Sequence, residues 1–293
     1  MSAEQSVAVV IPTRNRPEKL GRCLEALEAA RSHREFEVYV ADSTTKADLV
    51  GQVEEVCARF PFVHLVQHER QGFGGARNKS AESAEADLLV DLDDDVYVEE
   101  EAIARLVAAY ERGEGWRVVA GTVSWGTHWS QPVVLRSTGY GRTALNGEQP
   151  DFLVGAFFAY PRALALACPW LETIPTYDDR IMGALWNAKG VSLEFEPTAR
   201  AFHDEQAAVY KEESLADRIY GNLFDALLIR PSAARALSYE VLGFAAGLSE
   251  CVNRSFSKRR FVRAWVRGHM RLITDWRRLR SIAAAQLPPP PAG

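Results

Sequence analysis

The sequence is poor in the features that define several large protein classes. Its four cysteines, Cys23, Cys57, Cys168 and Cys251, lie far apart, with no C-x-x-C pair and no histidine pattern nearby. That argues against a zinc site or a disulfide framework and predicts reduced, buried thiols. No apolar run approaches the roughly 20 residues that span a bilayer. Met1 to Ser6 is polar, and the apolar run Val7 to Ile11 stops at Pro12, too soon for a signal peptide, so a cytoplasmic protein is expected. An excess of basic residues is also missing: 34 Lys and Arg face 39 Asp and Glu, a net charge of −5. Broad nucleic-acid binding is therefore not expected, although a local basic patch stays open. No internal repeat is present. Apolar residues are plentiful, at 47% of 293. That is enough for a large core, and the length suits one large α/β domain plus an appendage.

The first hundred residues alternate. Val7 to Ile11 is a continuous β-branched run, Pro17 opens a helical pattern through Leu20, Cys23, Leu24 and Leu27, and Phe36 to Ala41 reads as a second strand. Leu49 to Phe60 reads as a helix and Val63 to Val66 as a third strand. A glycine-rich turn, Gln71 to Gly75, precedes a small-residue helix to Ala86, and Asp87 to Val90 is a fourth strand. Four such repeats are the mark of βαβ units and a parallel sheet, whose ligands bind beyond the carboxyl ends of the strands. Pro12-Thr13-Arg14, Asp42, the glycine turn and an aspartate cluster all fall at those ends. Further on, Glu99 to Glu111 and Asp178 to Lys189 read as helices. Arg117 to Val123, Phe152 to Tyr160 and Val191 to Phe195 read as strands, and a Trp-rich loop carries Trp125, His128 and Trp129. From about Lys211 only helical patterns remain, ending in a Pro-rich tail, Leu287 to Gly293, expected to be disordered.

Asp91, Asp93, Asp94 and Asp95 follow an apolar strand without a break in the acidic run except Leu92. Their mutual repulsion is costly unless something positive sits among them. Mg²⁺ or Mn²⁺, held by one or two carboxylates and by phosphate oxygens, would offset it and stabilise a departing diphosphate. A solvated acidic turn, or N-terminal carboxylates for the helix near Glu99, is the plain alternative. Gly72-Phe73-Gly74-Gly75-Ala76-Arg77 starts like a dinucleotide fingerprint, but Arg77 stands where the third glycine belongs, and the first βα turn, Pro12 to Pro17, has no glycine. Thr176-Tyr177-Asp178-Asp179 offers an acidic pair before a helix, suited to a general base or merely to the helix dipole.

Together these pieces resemble the family 2 glycosyltransferases over roughly Val7 to His203. Val9 to Arg16 is similar to the family's opening strand and loop, Asp42 to its base-contacting aspartate, Gly72 to Asn78 to its Gly-rich turn and Ala-Arg-Asn helix start, and Leu92 to Val96 to its D-x-D motif. The resemblance implies a GT-A fold, a Rossmann-like mixed α/β sheet flanked by helices, with a C-terminal helical appendage. It implies a catalytic domain over 1–210, with a nucleotide-binding half at 7–97 and an acceptor half at 98–210. A helical region follows over 211–293. The activity implied is inverting, metal-dependent transfer of a sugar, of the hexosyltransferase type, from a UDP- or dTDP-sugar to a hydroxyl acceptor, which could be lipid-linked or a polysaccharide.

By the same resemblance, Pro12, Thr13, Arg14, Asp42, Gly74, Arg77, Asn78, Asp93 and Asp94 would bind the donor. Asp95, His203 and Asp93 would hold Mn²⁺ or Mg²⁺. Asp179 would be the base, with Asp178 beside it, and Gly155 and Ala156 would line the acceptor side. Trp125 and Trp129 could form a sugar platform or simply pack. Asp217 to Phe224 resembles a helix of rhamnosyl- and galactofuranosyl-transferase-like members, with Gly221 where those carry arginine. A nucleotidyltransferase is one alternative, though Thr13-Arg14-Asn15 lacks the glycine-rich loop such enzymes open with. A nucleotide-sugar-binding protein without turnover is the other. Finally, basic and apolar residues alternate over 258–280. That stretch could lie on the inner face of the cytoplasmic membrane or pack on the catalytic domain.

Overall fold

The computed structural model describes residues 5–69, 72–172, 178–204, 212–253 and 257–289. The first half builds β1 (Val7–Thr13), α1 (Pro17–Ala30), β2 (Glu37–Asp42), α2 (Ala47–Ala58), β3 (Val63–Gln67), α3 (Gly72–Ser83), β4 (Leu88–Leu92), β5 (Val96–Val98) and α4 (Ala102–Glu111). The second half adds β6 (Arg117–Trp125), β7 (His128–Trp129), β8 (Val133–Leu135), β9 (Gly141–Thr143), β10 (Phe157–Pro161), α5 (Arg162–Ala167), α6 (Asp178–Ala188) and β11 (Ser192–His203). Then come α7 (Glu212–Phe224), a π-helical turn (Asp225–Ile229), α8 (Ala233–Asn253) and α9 (Lys258–Ala284).

One mixed sheet runs β3-β2-β1-β4-β10-β6-β11-β5, with β7 paired to β6. β1 is parallel to β2 and β4, and β11 is parallel to β6. β10 lies between β4 and β6, antiparallel to both, and at the far side β5 and β7 run antiparallel to β11 and β6. Side-chain alternation along β1 divides the core. Val7, Val9 and Ile11 join Leu20, Leu24 and Leu27 of α1 and Ile103 and Leu106 of α4 on one face. Ala8 and Val10 face the other side, where Ala81 of α3, Ile181 of α6, Tyr220 of α7 and Leu272 of α9 gather. Both faces are covered, which explains why β1 reads as unbroken apolar sequence.

Several expectations need correction. β1 does not stop at Pro12. Thr13 O accepts from Ser43 N at 3.1 Å, on the β2 side, so the nitrogen of Pro12 faces the opposite side, where the β4 ladder has already ended at Val10↔Asp91. The strand expected over Phe152 to Tyr160 starts only at Phe157, because Phe152 turns aside to bridge Val133. Gly72 to Gly75 are not a separate turn but the first turn of α3, with Gln71 outside the described residues. Their purpose is close packing: a Cβ on Gly74 would meet Leu171 O at 2.8 Å. The tail is docked where it is described. Leu287 packs on the core, and Trp116 Nε1 donates to Pro288 O at 3.0 Å. Residues 290–293 lie outside the described residues.

All four cysteines are free and buried, as the spacing predicts. Among the described residues, no helix is long and apolar enough to cross a membrane.

Candidate active site

The carboxyl ends of β1, β2 and β4 meet the start of α3 at one edge of the sheet. Between them lies a cavity of about 270 Å³, lined by Pro12, Thr13, Arg14, Arg16, Ser43, Gly72, Phe73, Ala76 and Asp94. Its walls are held by the β1–α1 loop. Asn15 takes a left-handed φ of 58°, and its side-chain oxygen accepts from Thr45 and Lys46 N–H at 3.1 and 3.2 Å. Asp42 does not line the cavity. Its carboxylate accepts from the N–H and hydroxyl of Thr44 at 2.8 and 2.5 Å, fixing the loop that brings Ser43 to the wall.

At the floor, the aspartates separate by partner. Asp94 accepts from Thr13 Oγ1 at 2.7 Å and from Arg16 at 3.2 Å. Asp95 accepts from Arg16 at 2.9 Å and Lys19 at 3.1 Å, and lies 3.5 Å from His203 Nε2. Burial raises the Asp94 carboxyl to about 6 against the pull of Thr13 and Arg16. Asp91, expected to belong with these three, points the other way under α3. It is fully buried and accepts from the Tyr160 hydroxyl at 2.6 Å. Burial raises it to about 7, with Arg77 and Tyr160 opposing.

One carboxylate oxygen each of Asp93 and Asp95 and one nitrogen of His203 lie within 4.8 Å of one another. His203 Nδ1 is buried and has no hydrogen-bond partner among the described residues, and the Trp125 ring packs 5.3 Å away. Two hard oxygens and an imidazole are a fitting donor set for Mn²⁺ or Mg²⁺.

Arg77 joins this floor to the acidic pair. It is 4% exposed and donates to Asp93 at 3.1 Å, to Asp178 at 2.7 Å and to Gly155 O at 3.0 Å. Its guanidinium sits 4.5 Å over the Trp170 ring and 3.5 Å from Asp91. Although burial opposes its charge, Asp178, Asp91 and Asp93 hold it above the usual arginine range. Asp179, the next residue, accepts from Gly155 N at 3.2 Å and Arg180 N at 2.7 Å. Burial, then the Asp178 charge, raises it to about 7. Gly155 must be glycine here, since its Cβ would stand 2.8 Å from Asp179 Cβ. Ala156 O accepts from Asp93 N at 3.3 Å, which ties the same segment to the aspartates.

The profile of glycosyl transferase family 2 matches residues 8–166. The chain belongs to that family. An uncharacterized glycosyltransferase of Bacillus subtilis, YfnE, is 30% identical over 107 residues, 36% of this chain. The aligned stretch spans 27% of that relative's own length. The fold matches Staphylococcus aureus TarS in complex with UDP-GlcNAc, with a TM-score of 0.61 and 17% identity over 88% of this chain and 79% of that one. It also matches the mannosyltransferase PcManGT of Pyrobaculum calidifontis in complex with GDP-Man and Mn²⁺. There the TM-score is 0.58 and the identity 16%, over 97% and 85% of the two chains. These likenesses establish the GT-A architecture, with its C-terminal helices.

Some candidate residues make their contacts away from the cavity. Asn78 exchanges hydrogen bonds with Trp170 at 3.0 and 2.8 Å, so its amide tethers a loop rather than facing the cavity. Gly74 is pressed against that same loop. Trp129 packs edge-on to Phe202, on the side of β11 away from His203, while Trp125 packs beside the His203 ring. Thr176 and Tyr177 lie outside the described residues. The sequence reading does not single out Arg16 and Lys19 as counter-charges. A signal for them is present all the same: two cations one helical turn apart, where β1 enters α1, in a chain whose β4 ends in an aspartate run.

Proposed function

We propose that the protein transfers a glycosyl group from a nucleoside-diphosphate sugar to an acceptor hydroxyl, with inversion, and that Asp179 is the general base. The observation that carries this reading is Arg77. It ties Asp93, at the donor side, to Asp178, beside Asp179, through one buried guanidinium. Donor and acceptor groups are thereby fixed relative to each other, as a single in-line displacement requires.

The cavity between Pro12, Ser43, Phe73 and Asp94 takes the nucleoside, and UDP and dTDP are the donors of first choice. Asp93, Asp95 and His203 would hold Mn²⁺ or Mg²⁺, which when bound supplies positive charge for the departing diphosphate. The acceptor oxygen attacks the anomeric carbon as the bond from that carbon to the diphosphate oxygen breaks. The bonding pair leaves with the diphosphate, and the acceptor's proton passes to the Asp179 carboxylate. A base raised to about 7 is matched to such a transfer near neutral pH. Gly155, lacking a Cβ, lets its backbone approach Asp179 closely and donates its N–H to that carboxylate.

The test is thermal unfolding with UDP, dTDP, GDP and CDP, each with and without Mn²⁺. Release of nucleoside diphosphate from the matching sugar donor is then measured. A ligand at a hundredfold excess over its Kd stabilises by about 2.7 kcal/mol. Metal-dependent stabilisation by one nucleotide, followed by turnover, is the expected result. Stabilisation by none of them would overturn the proposal.

A further inference from the structure

We propose that α9 seats the protein on an anionic membrane surface, lying flat in the lipid headgroup region. The helix has two apolar faces. One is buried: Phe261, Ala264, Gly268 and Leu272 pack on the body of the protein, so closely that a Cβ on Gly268 would meet Ala216 O at 2.9 Å. The second is open. Val262, Val266, Met270 and Ile273 are 45%, 55%, 55% and 67% exposed. At about 100° per residue these four fall within about 80° of one another, on the side roughly opposite the buried face. A packed helix needs only the first face; the second stands open to solvent among the described residues.

Charge selects the occupant. α9 carries nine lysines and arginines and a single acid, Asp275. That acid is turned inward, where it accepts from the Tyr220 hydroxyl at 3.0 Å. Arg260, Arg263, Arg267 and Arg278 are exposed along one flank of the open stripe, and Trp276 is exposed on the other. A second copy seated face to face would set arginine against arginine. An anionic lipid surface offers apolar depth for the stripe, phosphates for the arginine heads and an interface that suits indole. The polarity of α9 rules out spanning, so the contact is peripheral.

The test is flotation of the full chain with vesicles of phosphatidylcholine alone and of phosphatidylcholine with 30% phosphatidylglycerol, in 0.1 M and 0.5 M NaCl. We expect at least tenfold stronger partitioning onto the phosphatidylglycerol vesicles at low salt, falling several-fold at high salt. Val266→Glu/Ile273→Glu changes only exposed positions. It should keep the wild-type thermal midpoint and lose at least tenfold in partitioning. Arg263→Glu/Arg267→Glu should lose the preference for anionic lipid. Three results would overturn the proposal: no flotation of the folded wild type, undiminished flotation of the folded Val266→Glu/Ile273→Glu protein, or a wild-type dimer that does not float and that this variant splits into monomers. None of these readouts depends on sugar transfer, so failure here is distinct from failure of the proposed activity.

Discussion

Replacing Arg77 with methionine removes one charge from a place where three carboxylates depend on it. Asp91, Asp93 and Asp178 all lie within 3.5 Å of its guanidinium, and Asp91 is fully buried. Breaking a buried ion pair from one side costs about 3–5 kcal/mol. The 4.5 Å stacking on Trp170 adds about 1 kcal/mol. Methionine recovers part of the packing, so a net loss of about 4 kcal/mol is expected in urea unfolding at pH 8. The sign of its pH dependence follows from Asp91. An unfolded aspartate titrates near roughly 3.9, whereas Asp91 in the fold titrates at about 7, raised by burial and restrained by Arg77. Stability from this group is therefore fully present below the unfolded value and declines as pH rises through the folded one. Without Arg77 the folded value climbs further, and the decline continues to higher pH. The gap between wild type and variant should open above about pH 7 and narrow towards pH 5. Asp91→Asn in the Arg77→Met background should then restore at least about 1 kcal/mol, a coupling that independent sites do not give. A loss below about 1 kcal/mol, or a gap that widens on acidification, would refute the assignment of Arg77 as the counter-charge of this core.

The other expectations are briefer. Asp179→Asn should lower kcat about a thousandfold while donor affinity stays within about threefold. In the wild type, kcat/KM should rise with pH through about 7 as the carboxyl deprotonates, a limb the variant lacks; steady-state kinetics from pH 5.5 to 9 check both. Asp95→Ala should weaken Mn²⁺ binding by at least about tenfold, read by titration of the metal against nucleotide-loaded protein, with the fold intact by circular dichroism. Gly155→Ala drives a methyl to 2.8 Å from Asp179 Cβ. It should cut kcat by about a hundredfold with a thermal midpoint changed by only a few degrees, since the segment is at a pocket wall.

What the sequence makes legible is whatever local chemistry decides. β1 is a β-branched run, β2 and β4 are short strands with apolar stretches, and helices separate them in sequence, so it is the alternation of strand and helix that makes their parallel pairing legible. The aspartates are legible because repulsion demands an explanation. What answers it within the chain is not: Arg16 and Lys19 look in isolation like solvated cations, and only the turn from β1 into α1 brings them to Asp95. Strand direction is invisible to periodicity, which is why β10 gives no warning that it runs antiparallel. Asn78 and Gly74 are drawn into the donor site by motif, yet the fold uses them to seat the Trp170–Leu171 loop. The proline-rich tail is expected to be disordered because proline supplies no backbone donors. Its carbonyls still accept, and Trp116 and Lys189 both bond to carbonyls at this end of the chain.

In the proposed reaction, the reversal at β10 is also what would let one edge of the sheet serve two substrates. In a wholly parallel sheet, a strand's incoming residues lie at the edge opposite the ligand. Because β10 runs against β4, its leading residues, Gly155 and Ala156, arrive at the same edge as the carboxyl end of β4. Gly155 N–H then reaches Asp179, Gly155 O receives Arg77, and Ala156 O receives the Asp93 N–H. Three bonds from two consecutive residues connect the acidic pair, the central arginine and the aspartate motif. A substitution that shifts this short segment should therefore disturb the acceptor and donor sides together, changing kcat without a matching change in the affinity for either substrate alone.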